Sequence, residues 1–157
     1  MKMINILLKL KIKKFYKKCN VKIKKIMTNF VKIKLDPSYG DYSYKEGSNI
    51  EMDTLGTFLT SDVGCQIDNG PYSWQSWALN DRLGMATSGN ITCLEKEGDY
   101  LFLTDQCSQE KDPTELKMSR QQFVQLLDEW QEKVCKTKPK EVIIKHENNI
   151  FFIEITE

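Results

Sequence analysis

Basic and acidic residues are unevenly distributed along this chain, and this distribution indicates that only one part of the chain forms the fold. The first 26 residues contain ten lysines and no acid, whereas residues 27–157 contain 13 lysines and arginines against 22 acids. A compositionally biased segment needs no packed core, and the remaining 131 residues suit one domain with one core. We therefore predict a basic N-terminal extension, residues 1–26, outside the fold, and an acidic domain, residues 27–157.

The extension allows two interpretations. Residues 1–18 use only amino acids whose codons are rich in A and T, and composition becomes ordinary at Met27, as if Met27 were the true start. Alternatively, apolar residues at helical spacing form one face of a basic helix that lies on an anionic membrane surface: Leu8, Ile12, Phe15, Cys19, Ile23 and Ile26. No apolar run is long enough to span a bilayer. A structural or regulatory domain anchored at a membrane surface by residues 1–26 is therefore an alternative function, and membrane contact is expected only if these residues are genuine.

In the first half of the domain, apolar spacing predicts short elements. Alternation predicts a strand over Val31–Leu35, followed by a polar loop over residues 36–50. Residues 51–63 suit a short helix, and Ser73 is a candidate cap for another that ends at Leu79. Residues 90–96 and 100–104 flank a glycine-containing turn and predict a β-hairpin.

The second half carries the clearest helix. Ser119 and Gln122 form a capping-box pattern, and Phe123, Leu127, Trp130 and Val134 mark one helical face. A short strand over 115–118 precedes this helix. A second hairpin, 141–145 with 150–155, follows it, and the run Val142–Ile144 suits a strand that is covered on both faces. This order predicts an α+β fold: one domain whose antiparallel sheet of two hairpins packs on one main helix and one or two short helices.

The cysteines indicate a reducing compartment. Cys19, Cys65, Cys93, Cys107 and Cys135 are scattered and form no C-x-x-C pair. We interpret them as free thiols, with Cys93 and Cys135 as small buried hydrophobes. Free thiols favour a cytoplasmic location.

Motifs for catalysis and cofactors are scarce, so we expect no cofactor, no metal and no enzyme activity. His146 is the only histidine, and its polar neighbours predict an exposed turn rather than a catalytic base. An alternative is a metal-dependent nuclease, because Asp112, Glu115 and Lys117 match the acid and E-x-K pattern in which the lysine positions a water molecule. The acidic domain should repel a phosphate backbone, so no nucleic-acid partner is expected.

Acids and tyrosines indicate a protein partner. Residues 36–115 contain 15 acids against four basic residues, and tyrosines are favoured interface anchors. Burial of these tyrosines in the core is the equal alternative, and solubility alone is the alternative for the acids. The predicted partner-binding residues are Tyr39, Asp41, Tyr42, Tyr44, Glu46, Asp105, Glu110 and Asp112.

A helix followed by a hairpin carries one resemblance. The stretch LKMSRQQFVQLLDEWQEKVCKTKPKEVIIKHENNIFFIEI, residues 116–155, resembles the immunity proteins of bacterial contact-dependent growth-inhibition and polymorphic-toxin systems. The resemblance implies a non-catalytic, cytoplasmic protein. Its partner would be a cognate basic toxin domain, often a nuclease, whose active site the acidic surface covers. Charge complementarity would speed such an association.

Overall fold

Two four-stranded antiparallel sheets and three α-helices make up the described part of the chain. The computed structural model describes residues 28–36, 38, 40–65, 70–107 and 114–157. The strands of the first sheet are β1 (Asn29–Leu35), β2 (Tyr42–Gly47), β7 (Glu141–Glu147) and β8 (Ile150–Thr156), in the order β2-β1-β7-β8. Those of the second are β3 (Ala86–Ser88), β4 (Thr92–Glu97), β5 (Tyr100–Asp105) and β6 (Leu116–Ser119), in chain order.

The helices are α1 (Ile50–Thr57), α2 (Pro71–Leu79) and α3 (Arg120–Trp130). A π-helical segment continues α1 over Phe58–Val63, and another continues α3 over Gln131–Cys135. Both α1 and α3 contact strands of the two sheets, so they lie between the inner sheet faces. None of these helices has the length and hydrophobicity that a bilayer span requires, within the described part of the chain.

The predicted α+β class is confirmed, and so is the strongest local signal. The Ser119 side chain accepts from Gln122 N, the Gln122 side chain accepts from Ser119 N, and α3 begins there. The stripe over Phe123, Leu127 and Trp130 is buried as its helical spacing predicts. Both predicted hairpins form, although each lies in a different sheet.

Four local predictions are corrected. Tyr42–Gly47, predicted as loop, pairs with β1 as an edge strand. Helix α2 begins at Pro71 after Gly70 rather than at a Ser73 cap, because proline suits the first helical position. His146 lies within β7, and the turn is Asn148–Asn149, whose positive φ values suit a hairpin turn. Strand β7 is buried on one face only, since Ile143 is half-buried between buried Val142 and Ile144.

A single core joins the sheets and the helices. Val31 and Ile33 of β1, Phe58, and Leu127 of α3 are fully buried members of it. Helix α1 approaches β1 closely at Gly56, where a side-chain carbon would lie 2.5 Å from a methyl group of Val31. The outer faces of both sheets carry only exposed and half-buried side chains among the described residues.

Candidate functional site

The five predicted partner-binding residues that the structure describes do not lie on one surface. Tyr39, Glu110 and Asp112 lie outside the described residues. Tyr42 and Tyr44 pack against the core: the Tyr42 hydroxyl donates to Pro139 O at 2.9 Å, and its ring meets Trp130 edge to face. Burial raises the pKa of Tyr42 to about 12. This ring supports the core rather than projecting as a free anchor.

Tyr44 has a similar structural role. Its hydroxyl donates to the Asp53 carboxylate on α1 and accepts from Gly47 N at 3.0 Å. Burial raises the pKa of Tyr44, and the hydrogen bond to Asp53 raises it further. Of the two alternatives that the sequence left open for these tyrosines, the geometry favours packing against the core.

The three remaining acids lie at separate places. Asp41 is exposed and lines a pocket. Glu46 lies 3.5 Å from the Lys32 ammonium on the outer face of the first sheet. Asp105 ends β5, where its carboxylate accepts from the backbone N–H of Cys107 at 2.8 Å. Only Asp41 therefore belongs to a concave site.

Three acids on the outer face of the first sheet are paired with lysines. Cross-strand partners place alternating residues of β1, β2, β7 and β8 on one side. Three ion pairs form there: Lys32–Glu46 at 3.5 Å, Lys34–Glu141 at 3.5 Å and Lys145–Glu154 at 2.7 Å. Such exposed pairs stabilise little, about 0–1 kcal/mol each, but they neutralise three carboxylates of this face, while Glu147 accepts from the Thr28 hydroxyl.

The outer face of the second sheet differs in charge and composition. The β4–β5 register pairs Cys93 with Thr104, Glu95 with Phe102, and Glu97 with Tyr100, so these six side chains share one side. We call them the aromatic-acidic face. Tyr100 is 46% exposed and Phe102 is half-buried. Glu95 and Glu97 are exposed and form no salt bridge with any described residue.

The E-x-K pattern ends beside this face. Lys117 of β6 pairs with Phe102, and its ammonium lies 4.1 Å from the centre of the Tyr100 ring and 5.5 Å from that of Phe102. Glu115 is exposed just before β6. The lysine is thus engaged by aromatic rings. Among the described residues, no group of three or more His, Cys, Asp or Glu side chains is placed to bind a metal.

An open pocket of about 550 Å³ adjoins the edge strand of the second sheet. The first π-helical segment and the residues after it, α2, and the β3–β4 connection supply most of its wall. The lining residues are Asp41, Thr60, Ser61, Asp62, Val63, Gly64, Cys65, Ser73, Trp74, Trp77, Thr87, Ser88, Gly89 and Asn90. Ser88 pairs with Cys93, so the rim of the pocket continues the aromatic-acidic face.

Asp62 fixes the wall of this pocket. Its carboxylate accepts from the backbone N–H groups of Asn90, Ile91 and Thr92 and from the Thr92 hydroxyl, at 2.5 to 3.3 Å. A side chain at Gly89 would collide with this carboxylate, so the close approach requires glycine. The π-helical segment and the β3–β4 connection are therefore held together by one side chain.

Two indoles complete the pocket. Trp74 is half-buried, stacks edge to face on Phe58 and donates to Asp62 O at 3.3 Å. Trp77 is 8% exposed and donates to Gly84 O at 3.2 Å. The ammonium of buried Lys96 lies 4.5 Å from the Trp77 ring and donates to three backbone carbonyls at the end of α2 and in the turn after it. Burial lowers the pKa of Lys96.

The cysteine prediction is wrong for two residues. Cys65 and Cys135 form a disulfide across 70 residues of sequence, between the turn after the first π-helical segment and the end of the second. Cys93 is half-buried and Cys107 exposed, and both are free thiols. The expectation of a cytoplasmic location rested on free thiols, and this disulfide removes that basis. Two single cysteines far apart in sequence gave no local signal of pairing.

His146 does not line the pocket, and its protonation is expected to affect the stability of the fold. Its ring stacks on Phe151 with 4.1 Å between ring centres, and burial lowers the pKa of His146 below its ordinary value of 6.5, although Glu51 opposes the shift. The unfolded chain therefore takes up the proton first as pH falls.

We expect the free energy of unfolding to decrease as pH drops below about 6.5 and to level off below the folded pKa. Urea denaturation at pH steps from 8 to 5, on the wild type and His146→Gln, checks this, because only the wild type should show the histidine component. Parallel curves for the two proteins would contradict it.

Sequence reasoning missed the aromatic-acidic face, although the signal was present. The hairpin over 90–104 was predicted, and strand alternation alone places Glu95 and Glu97 on one side with Tyr100 and Phe102. The pocket gave no such signal, since its wall comes from distant segments. No protein family, curated protein or solved structure matches this chain in comparison.

Proposed function

We propose that this chain is a non-catalytic protein-binding domain, an immunity protein that neutralises a cognate basic toxin domain by covering its active site. One observation carries the proposal: the aromatic-acidic face presents Glu95 and Glu97 without ion pairs beside two aromatic rings, whereas three acids on the outer face of the first sheet are ion-paired with lysines. Bringing these carboxylates against a basic surface breaks no ion pair within the chain, and their charge speeds the association. Aromatic rings supply buried contact area.

The partner is proposed as the product of a neighbouring gene. Co-purification of that product with the full chain, and protection of cells that express its toxic domain, test the proposal together. Protection should require this chain and should be lost when the aromatic-acidic face is changed. A neighbouring product that neither binds nor is neutralised would remove the immunity assignment.

Charge reversal at the face should slow association. We expect Glu95→Lys with Glu97→Lys to reduce the association rate about tenfold at low salt, because charges at an interface steer encounter. The difference should narrow as salt screens the field. Stopped-flow or surface-binding kinetics at several salt concentrations measure both effects.

A matched control separates this face from net charge. Glu46→Lys with Glu154→Lys makes the same change in charge on the outer face of the first sheet, where both acids are ion-paired. That variant should associate at close to the wild-type rate. Equal slowing by both double variants would assign the effect to total charge and exclude the aromatic-acidic face as the docking surface.

The proposal places the domain in the cytoplasm, where a toxin that attacks nucleic acid has to be stopped. The Cys65–Cys135 disulfide argues in the other direction, because disulfides persist mainly in oxidising compartments. Thiol trapping in intact cells decides between the two. Reduced cysteines support the cytoplasm, and an oxidised pair in growing cells would move the site of action to an oxidising compartment.

A further inference from the structure

The 550 Å³ pocket is matched to a positively charged ligand. The described residues that line it include two aspartates and two tryptophans and no Lys, Arg or His. Asp41 is exposed, and its carboxylate forms no ion pair with any described residue. The volume lies in the range of ordinary ligand sites.

The negative charge in the pocket is held in place. Asp62 is anchored by donors from three successive residues of the β3–β4 connection, so its carboxylate cannot turn away when a cation enters. Hydrogen bonds from neutral donors orient a carboxylate without cancelling its charge. Lys138 lines a smaller adjacent cavity with Asp41 but lies beyond salt-bridge distance from it.

The indoles suit the same ligand. Lys96 already uses the neighbouring Trp77 ring for a cation–π contact at 4.5 Å. Trp74 has its indole N–H bonded to Asp62 O and packs edge to face on Phe58, so a half-buried ring is held in the pocket wall. Indole is the best ring for cation–π contacts, and Arg is the side chain found most often in them.

We infer that this pocket binds a guanidinium group, and that its occupant is an arginine side chain of the basic partner. The assignment to a partner's arginine rests on the proposed function, whereas the guanidinium site stands on the pocket itself. Asp41 supplies the charged hydrogen-bond acceptor and Trp74 the stacking surface. Since the rim at Ser88 continues the aromatic-acidic face, one partner surface reaches both.

The test titrates the full chain with N-acetyl-arginine amide. NMR of the three tryptophan indole N–H signals follows the binding. Saturable shifts centred on Trp74 and Trp77 are expected, with a dissociation constant of the order of millimolar for a single side chain. N-acetyl-citrulline amide, which has nearly the same shape without the charge, should bind at least about tenfold more weakly. Equal binding of the two amides would overturn the inference.

Variants locate the site. Asp41→Asn should weaken binding of the arginine amide about tenfold, because one charged contact in a partly desolvated site is lost. Asp99→Asn is the control, because Asp99 is an exposed acid in the β4–β5 turn that does not line the pocket. Thermal melts check that both variants fold. Equal weakening by the two variants would show a general charge effect and overturn the pocket assignment.

The source of the guanidinium is tested separately. Spermidine serves as a small free polycation. If it binds about tenfold more tightly than the arginine amide, the proposal that a partner's side chain occupies the pocket is overturned. The two proposals fail differently. If the chain neutralises the toxin but does not bind the arginine amide, only the guanidinium site is contradicted. If it binds the arginine amide but no toxin partner, only the immunity function is contradicted.

Discussion

Replacing Trp130 with alanine is expected to lower the free energy of unfolding by about 3–5 kcal/mol, the usual effect of deleting a buried aromatic side chain. Trp130 is fully buried, its indole N–H donates to Gly64 O at 3.0 Å, and its ring meets Tyr42. The substitution thus opens a cavity and removes the donor from which the half-buried Gly64 carbonyl accepts. Such a loss is a large share of the stability of a domain this size.

Urea denaturation followed by circular dichroism measures the effect. Trp130→Phe should destabilise less, because it retains most of the ring volume and loses the hydrogen bond. Tyr100→Ala is the control, since Tyr100 is 46% exposed on the aromatic-acidic face and should change stability by less than about 1 kcal/mol. Equal midpoints for Trp130→Ala and the wild type would contradict the central position of Trp130 in the core.

Removing the disulfide should have an effect of similar size. Cys65 and Cys135 are 70 residues apart, and linking such distant residues restricts the unfolded chain enough to stabilise the fold by about 4 kcal/mol. Reductant should therefore shift the denaturant midpoint of the wild type downward. Cys65→Ser with Cys135→Ser should unfold at the lower midpoint whether or not reductant is present.

The free thiols provide the control for that experiment. Cys93→Ser with Cys107→Ser keeps the disulfide, so this variant should respond to reductant as the wild type does. A wild-type midpoint that does not move on full reduction, verified by thiol counting, would show that the cross-link does not stabilise the folded state.

Local patterns in the sequence determined a substantial part of this fold. The capping box at Ser119 and Gln122, the stripe through Phe123 and Trp130, and both hairpins follow from spacings within about 15 residues. These signals are reliable because they reflect backbone hydrogen bonding and one-sided burial within single elements. They sufficed to predict an α+β domain.

Tyr42–Gly47 shows where local reasoning stopped. The segment is mostly polar and contains glycine, and the alternation of Tyr42 and Tyr44 alone is too short to predict a strand. It forms one because it pairs with β1 and the core takes up the rings of Tyr42 and Tyr44. Strand formation here depends on a neighbour that the segment itself does not specify. The same is true of β3, whose three residues are a strand only because they pair with β4.

Only the tertiary structure decided how the hairpins are distributed and where the candidate sites lie. Placing β4–β5 and β7–β8 in separate sheets leaves one outer face with three ion pairs and the other with unpaired acids beside aromatic rings. The Cys65–Cys135 bond and the pocket of Asp41, Asp62 and Trp74 likewise join segments far apart in sequence. Periodicity reports which side of an element is buried, but which elements meet depends on closing the whole chain around one core.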